Sequence, residues 1–191
     1  MNLIFLDFYG TITGSRDYDT PFSPRCCRLV DELCEEFNAK IVITSDSMCC
    51  VYNSIKRIEK VIDMLVESGI KKDKVMGFTH QRYHSHPLIC RAKEIKEWLE
   101  DFSYYSKDIN YVIFDDLPLP FSKEHIEERI ETISKWKDES VPEYIAITKD
   151  GHSEESYKRF IHIEGRHGIT KEYIEKARKI FDENKKDTKE T

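Results

Sequence analysis

The sequence predicts an α/β protein, a three-layer sandwich built around a mainly parallel sheet, and three observations carry that prediction. Short apolar runs alternate with stretches of helical periodicity along the whole chain. The strand-like runs LIFL (3–6), IVI (41–43) and YVIF (111–114) are apolar at every position, as strands covered on both faces require. Each of them stops at a polar residue: Asp7, Thr44 and the pair Asp115-Asp116. In open parallel sheets ligands bind at the carboxyl ends of the strands, so these tips are the first place to seek a site.

Taken in order, residues 3–6 form the first strand and 12–24 a polar, turn-rich stretch. Residues 25–37 then set Cys26, Leu29, Val30, Leu33, Cys34 and Phe37 on one helical face. A second strand at 40–44 runs into Thr44-Ser45-Asp46-Ser47, residues able either to cap the next helix or to bind an anion at its N-terminus. That helix, 51–68, turns Ile55, Ile58, Val61, Ile62, Leu65 and Val66 inward and ends at Gly69. A short strand at 74–78, a loop at 79–87, a helix at 89–102 and the strand 111–114 follow. Pro118 and Pro120 delay the next helix to 122–136. Residues 143–148 are predicted as a fifth strand, 149–158 as a polar loop, 160–163 as a sixth strand and 170–181 as a helix capped by Thr170.

Length and composition fit one domain, residues 1–183, followed by a charged, frayed tail at 184–191. The 191 residues are long enough for a continuous core, and 39% hydrophobic with 35% charged residues suits a globular chain with polar helix surfaces. A net charge of −6 gives no general attraction to nucleic acid or anionic lipid. No apolar run approaches a membrane span and the first residues lack a signal peptide's basic region, so a cytoplasmic protein is expected. The six cysteines include the adjacent pairs Cys26-Cys27 and Cys49-Cys50 and no CxxC spacing, which favours reduced, packed thiols over zinc or disulfides.

Two clusters invite a chemical reading. Asp7 followed by Gly10 and Thr11 is either a turn-closing aspartate or a nucleophilic or metal-binding one, and the other strand-tip carboxylates favour the second. The loop His80, Arg82, His84, His86 has no nearby cysteine or carboxylate to complete a transition-metal set, and is read as solvated or, through Arg82, phosphate-contacting. With Lys71, Lys72 and Lys74 it forms the candidate basic surface.

The segments DFYGT (7–11), IVITSDS (41–47), RAKEIKEWL (91–99) and NYVIFDD (110–116) stand in the order of the motifs of the haloacid dehalogenase-like (HAD) hydrolase superfamily, whose Rossmann-like fold the chain resembles. Together with GRHGITKEYIEKA (165–177) they are similar to the phosphatase-like domain of Swiss Army Knife RNA repair proteins. The resemblance covers 1–116 and 160–181 and leaves 120–159 as an insertion. It implies Asp7 as nucleophile, Thr44 as phosphoryl-binding hydroxyl and Arg91 or Lys93 as the motif cation. It implies Mg²⁺ held by Asp7, the Tyr9 backbone carbonyl and Asp115 or Asp116. Gly10, Thr11, Ser45 and Arg82 are the expected substrate contacts, and a phosphorylated substrate, such as a nucleotide or nucleic acid end, the expected partner.

One residue departs from the pattern. Phosphatases of the superfamily carry a second aspartate as general acid and base where this chain has Tyr9. A phenol of reference pKa about 10 is a poor base at neutral pH, and losing such catalysis typically slows a reaction by about 10²–10⁴. The resemblance therefore leaves three readings: a slow or specialised phosphatase, a binding or scaffold domain on the same fold, and a 2-haloacid dehalogenase, whose motif resembles DFYGT. Dehalogenases of that type enclose their substrate under a helical cap between the first two motifs. The stretch from Asp7 to Thr44 is only long enough for one helix, so a capless or minimally capped site is expected.

Overall fold

The computed structural model describes residues 1–13, 22–45, 55–79, 87–106, 108–164 and 167–187. Among the described residues five parallel strands form one sheet in the order β3-β2-β1-β4-β5. Strand β1 (Asn2–Leu6) lies at its centre, pairing with β2 (Ala39–Ile43) on one side and β4 (Asn110–Asp115) on the other, so that Phe5 is in register with both Val42 and Ile113. Strands β3 (Val75–Phe78) and β5 (Phe160–His162) form the edges.

The unbroken apolar run of β1 is explained by its two covered faces. Ile4 and Leu6 point into a core shared with α1 (Pro24–Phe37), α2 (Ile55–Glu67) and α7 (Lys171–Asp187). Leu3 and Phe5 point the other way, against Ala92, Ile95 and Trp98 of α3 (Pro87–Ser103). Phe5 meets Trp98 and Tyr111 edge-on, at ring-centroid separations of 5.4 and 5.8 Å. Local chemistry sets the ends of α1. The Ser23 hydroxyl accepts from the Cys26 amide, Pro24 occupies the first turn, and Asn38 closes the helix in the left-handed region at φ 47°. Cys26, Cys27, Cys34 and Cys90 are buried free thiols, as expected, while Cys49 and Cys50 lie outside the described residues.

The stretch 143–148, expected as a strand, is instead the middle of a helix, α5 (Val141–Asp150), and the sheet has five strands rather than six. The short β-branched run IAIT imitates a strand. Yet Tyr144, Ile147 and Thr148 are buried at helical spacing, Pro142 starts the helix, and the Thr148 hydroxyl donates to the Tyr144 carbonyl one turn back. The expected loop 149–158 also contains one helical turn, α6 (Glu154–Lys158), capped by the Ser153 side chain. With α4 (Lys123–Ile133), these helices fill 120–159. Ile133, Tyr144 and Ile147 enclose Cys90 of α3, so the segment joins the helical layer on the α3 face.

Among the described residues no cap domain interrupts the fold. Residues 7–23 carry the chain from β1 to α1, and 79–86 from β3 to α3. Among the described residues no helix is long and apolar enough to cross a membrane.

Phe5 is fully buried between two aromatic neighbours, so Phe5→Ala is expected to cost about 3–5 kcal/mol. Urea denaturation should show this as a lower midpoint with an unchanged slope.

Candidate metal and phosphoryl site

The parallel register brings the tips of β1, β2 and β4 side by side. Beyond β1 the chain turns sharply: the Phe8 carbonyl accepts from the amides of Thr11, Ile12 and Thr13, and Gly10 adopts φ 78°. Only glycine fits there. A Cβ at Gly10 would collide with Asp116 Oδ2, besides requiring an unfavourable left-handed backbone. The Gly10 amide donates to Thr13 Oγ1, and the Thr11 hydroxyl to Asp7 Oδ2 at 3.2 Å.

Asp7, Asp115 and Asp116 are all buried, with carboxylate oxygens lying within 4.8 Å of one another. Arg91, 3% exposed, enters from α3. Its Nη1 is 2.6 Å from Asp115 Oδ2 and 3.1 Å from Asp7 Oδ1. The Leu117 amide donates to the other Asp115 oxygen at 2.9 Å. From β2, the Ser45 side chain hydrogen-bonds Asp7, while Thr44 Oγ1 is buried with no hydrogen-bond partner among the described residues. A buried hydroxyl without a partner is costly unless a ligand satisfies it.

The structure separates residues that the sequence left equivalent. Arg91, not Lys93, joins the cluster. The Lys93 ammonium is 2.9 Å from Asp150 Oδ2 of α5 and 3.7 Å from Glu97, which is a consequence of helix phase: residues two apart on a helix do not share a face. Asp115 and Asp116 both belong, Asp115 bound to Arg91 and Asp116 against Gly10. The Tyr9 side chain is half-buried against the core on the α1 face. Arg82 and the loop histidines, with Asp46 and Ser47, lie outside the described residues.

Two contributors were not singled out from sequence. Thr13 braces the turn, and its signal is the second threonine of the run TIT after Gly10. His162 ends β5 in register with Asp115, and its Nε2 is 3.0 Å from the Asp116 carbonyl oxygen. A polar residue at the end of the last strand, the pattern of the other tips, was its signal.

Among the described residues the cluster brings three buried carboxylates together, two of them bonded to Arg91. Burial drives the Asp7 pKa well above the ordinary value. Arg91 opposes this, repulsion from Asp115 and Asp116 adds to it, and the Ser45 hydrogen bond opposes it. Asp115 is pushed up to about 6, again by burial against the pull of Arg91. An all-oxygen set of three clustered carboxylates fits a hard divalent cation.

A parallel sheet with strand-tip aspartates, a helix-borne cation and no cap defines a haloacid dehalogenase-like hydrolase domain. More particularly, the chain belongs to the family described as the HAD domain in Swiss Army Knife RNA repair proteins, whose model matches residues 3–174. The match runs through 120–159, the segment that the motif resemblance left aside. Comparisons with curated proteins and with solved structures give no match.

The raised carboxyl groups have a signed consequence. Between pH 3.8 and about 6 the folded protein holds a proton on Asp115 that the unfolded chain has released, so stability falls as pH rises through that window. Asp115→Asn should flatten this fall in thermal melts with chelator present. Mg²⁺ should raise the melting temperature of the parent above pH 6, and much less that of Gly10→Ala, in which Asp116 is displaced.

Proposed function

We propose that this domain is a Mg²⁺-dependent phosphoester hydrolase with Asp7 as its nucleophile, acting on a phosphorylated substrate such as a nucleotide or nucleic acid end. The observation that carries the reading is the buried Asp7 carboxylate, held by Arg91 and Thr11 among two further carboxylates and beside a Thr44 hydroxyl that has no partner among the described residues. Asp7, Asp116 and the Tyr9 backbone carbonyl would hold the Mg²⁺, which when bound offsets the repulsion between a carboxylate and an anionic phosphoryl group.

The chain's own groups supply the rest. Arg91 opposes protonation of Asp7 and fixes one of its oxygens, while Asp115 holds Arg91 in place. An Asp7 oxygen attacks phosphorus in line, the bond to the ester oxygen breaks, and an aspartyl phosphate forms. Water then attacks that phosphorus, releasing phosphate and restoring the Asp7 carboxylate. The Thr44 hydroxyl donates a hydrogen bond to a phosphoryl oxygen as its charge redistributes, while Ser45 lines the same site with its hydroxyl hydrogen given to Asp7.

Tyr9 decides how fast this runs. With no carboxylic acid at that position, a poor leaving group departs without ready protonation, so activated esters react best. The same residue favours a second reading, a binding domain that keeps the fold and cluster without turnover. A dehalogenase finds less support, because 7–23 leave no room for a helical cap to exclude water from a small haloacid.

Hydrolysis of an aryl phosphate tests the reading. Turnover should require Mg²⁺, vanish with chelator and drop at least about a thousandfold in Asp7→Asn, with the fold retained. Turnover near the parent's in that variant removes Asp7 from the mechanism. Tyr9→Asp should raise the rate about tenfold or more on a poorly activated ester, where the missing acid matters most. A binding domain would show no turnover in the parent under any of these conditions.

A further inference from the structure

A cleft of about 460 Å³ opens beside the Asp115-Asp116 tip, lined by Pro118, Leu119, His125, Tyr157, Phe160 and His162. We propose that it is a subsite for the heteroaromatic ring of a nucleotide whose phosphoryl group lies at Asp7, an assignment that rests on the phosphoester reading.

Four of the six lining side chains are rings, arranged in two pairs. His125 of α4 meets Tyr157 of α6 edge-on at 5.7 Å, and Phe160 stacks on His162 along β5 at 6.0 Å. Ring-lined walls accept a flat ligand through its π-face, whichever heterocycle it is. Among the described residues the lining contains no Lys, Arg, Asp or Glu, so it suits the uncharged end of a phosphoester rather than its phosphate. Two imidazoles and a phenol nevertheless offer donors and acceptors to the edge of a heterocycle. The volume is in the range of small-ligand pockets, and Tyr157, 42% exposed, presents a large ring to solvent.

The cleft also adjoins the phosphoryl site. His162 is in register with Asp115 and touches the Asp116 carbonyl, and the Asp116 carboxylate in turn abuts Gly10. One side chain, His162, therefore belongs to the wall of the cleft and to the edge of the acidic cluster. A nucleoside monophosphate is the simplest ligand that spans both.

Adenosine, adenosine 5′-monophosphate and glycerol 2-phosphate separate the two parts. In the parent with Mg²⁺, kcat/KM for adenosine 5′-monophosphate should exceed that for glycerol 2-phosphate by about tenfold, chiefly through KM, and Tyr157→Ala should close the gap. Adenosine alone should shift the ring resonances of Tyr157 and Phe160 in NMR spectra, and bind about tenfold more weakly to Tyr157→Ala. His125→Ala serves as the second variant if Tyr157→Ala does not fold. Adenosine binding at these rings without turnover of either phosphate would uphold the subsite and overturn the hydrolase. Equal turnover of both phosphates, with no adenosine-induced shift, would uphold the hydrolase and overturn the subsite.

Discussion

Arg91 bridges the two carboxylates that end neighbouring central strands, and much of the molecule is arranged to keep it there. Parallel pairing of β1 with β4 forces Asp7 and Asp115 close together at the buried end of the sheet. Without the guanidinium, two acidic groups would face each other in a poorly solvated space, where repulsion is strongly felt. The helix that delivers the guanidinium is anchored by Ala92, Ile95 and Trp98 on the sheet and by Cys90 in the small core made with α4 and α5. Asp116 adds a third carboxylate within 4.8 Å of the other two, an oxygen-rich set that suits a hard divalent cation.

The surroundings of the cluster shape its chemistry as much as the cluster does. Gly10 lets the Asp116 carboxylate approach the backbone of the turn more closely than any side chain would allow, and Thr11, Thr13 and the Phe8 carbonyl hold that turn rigid. Just past β2 the Thr44 hydroxyl is buried with no partner among the described residues. The connections 7–23 and 79–86 are too short to hold a separate domain, so on the proposed reading the strand tips are reached from loops or from the β5 side of the sheet.

The tips of the central strands were legible because their physics is local in sequence: an apolar run buried on two faces, then a polar residue where the strand leaves the core. Asp7, Thr44, Ser45, Asp115 and Asp116 were found that way, and the parallel architecture followed from the same runs. The choice between Arg91 and Lys93 was not legible, since it depends on the rotation of α3 about its axis, which tertiary packing sets. Residues 143–148 misled for a related reason. Isoleucine and threonine favour strands when judged alone, but here their burial against Cys90 and Ile133 imposes helical spacing. His162 escaped notice because its partner, the Asp116 carbonyl, lies 46 residues away at the end of a different strand.

The bond between Lys93 and Asp150 ties the helix carrying Arg91 to α5, and this gives the 120–159 segment a genetic meaning. A lesion in α5 would leave every reacting group intact while loosening the scaffold that aims the guanidinium. Its phenotype would be conditional, normal at low temperature and defective on warming, and suppressors would arise on the facing surface of α3 rather than among the aspartates. The 120–159 segment thus bears on the aim of the guanidinium through α5, besides lining the cleft through His125 and Tyr157.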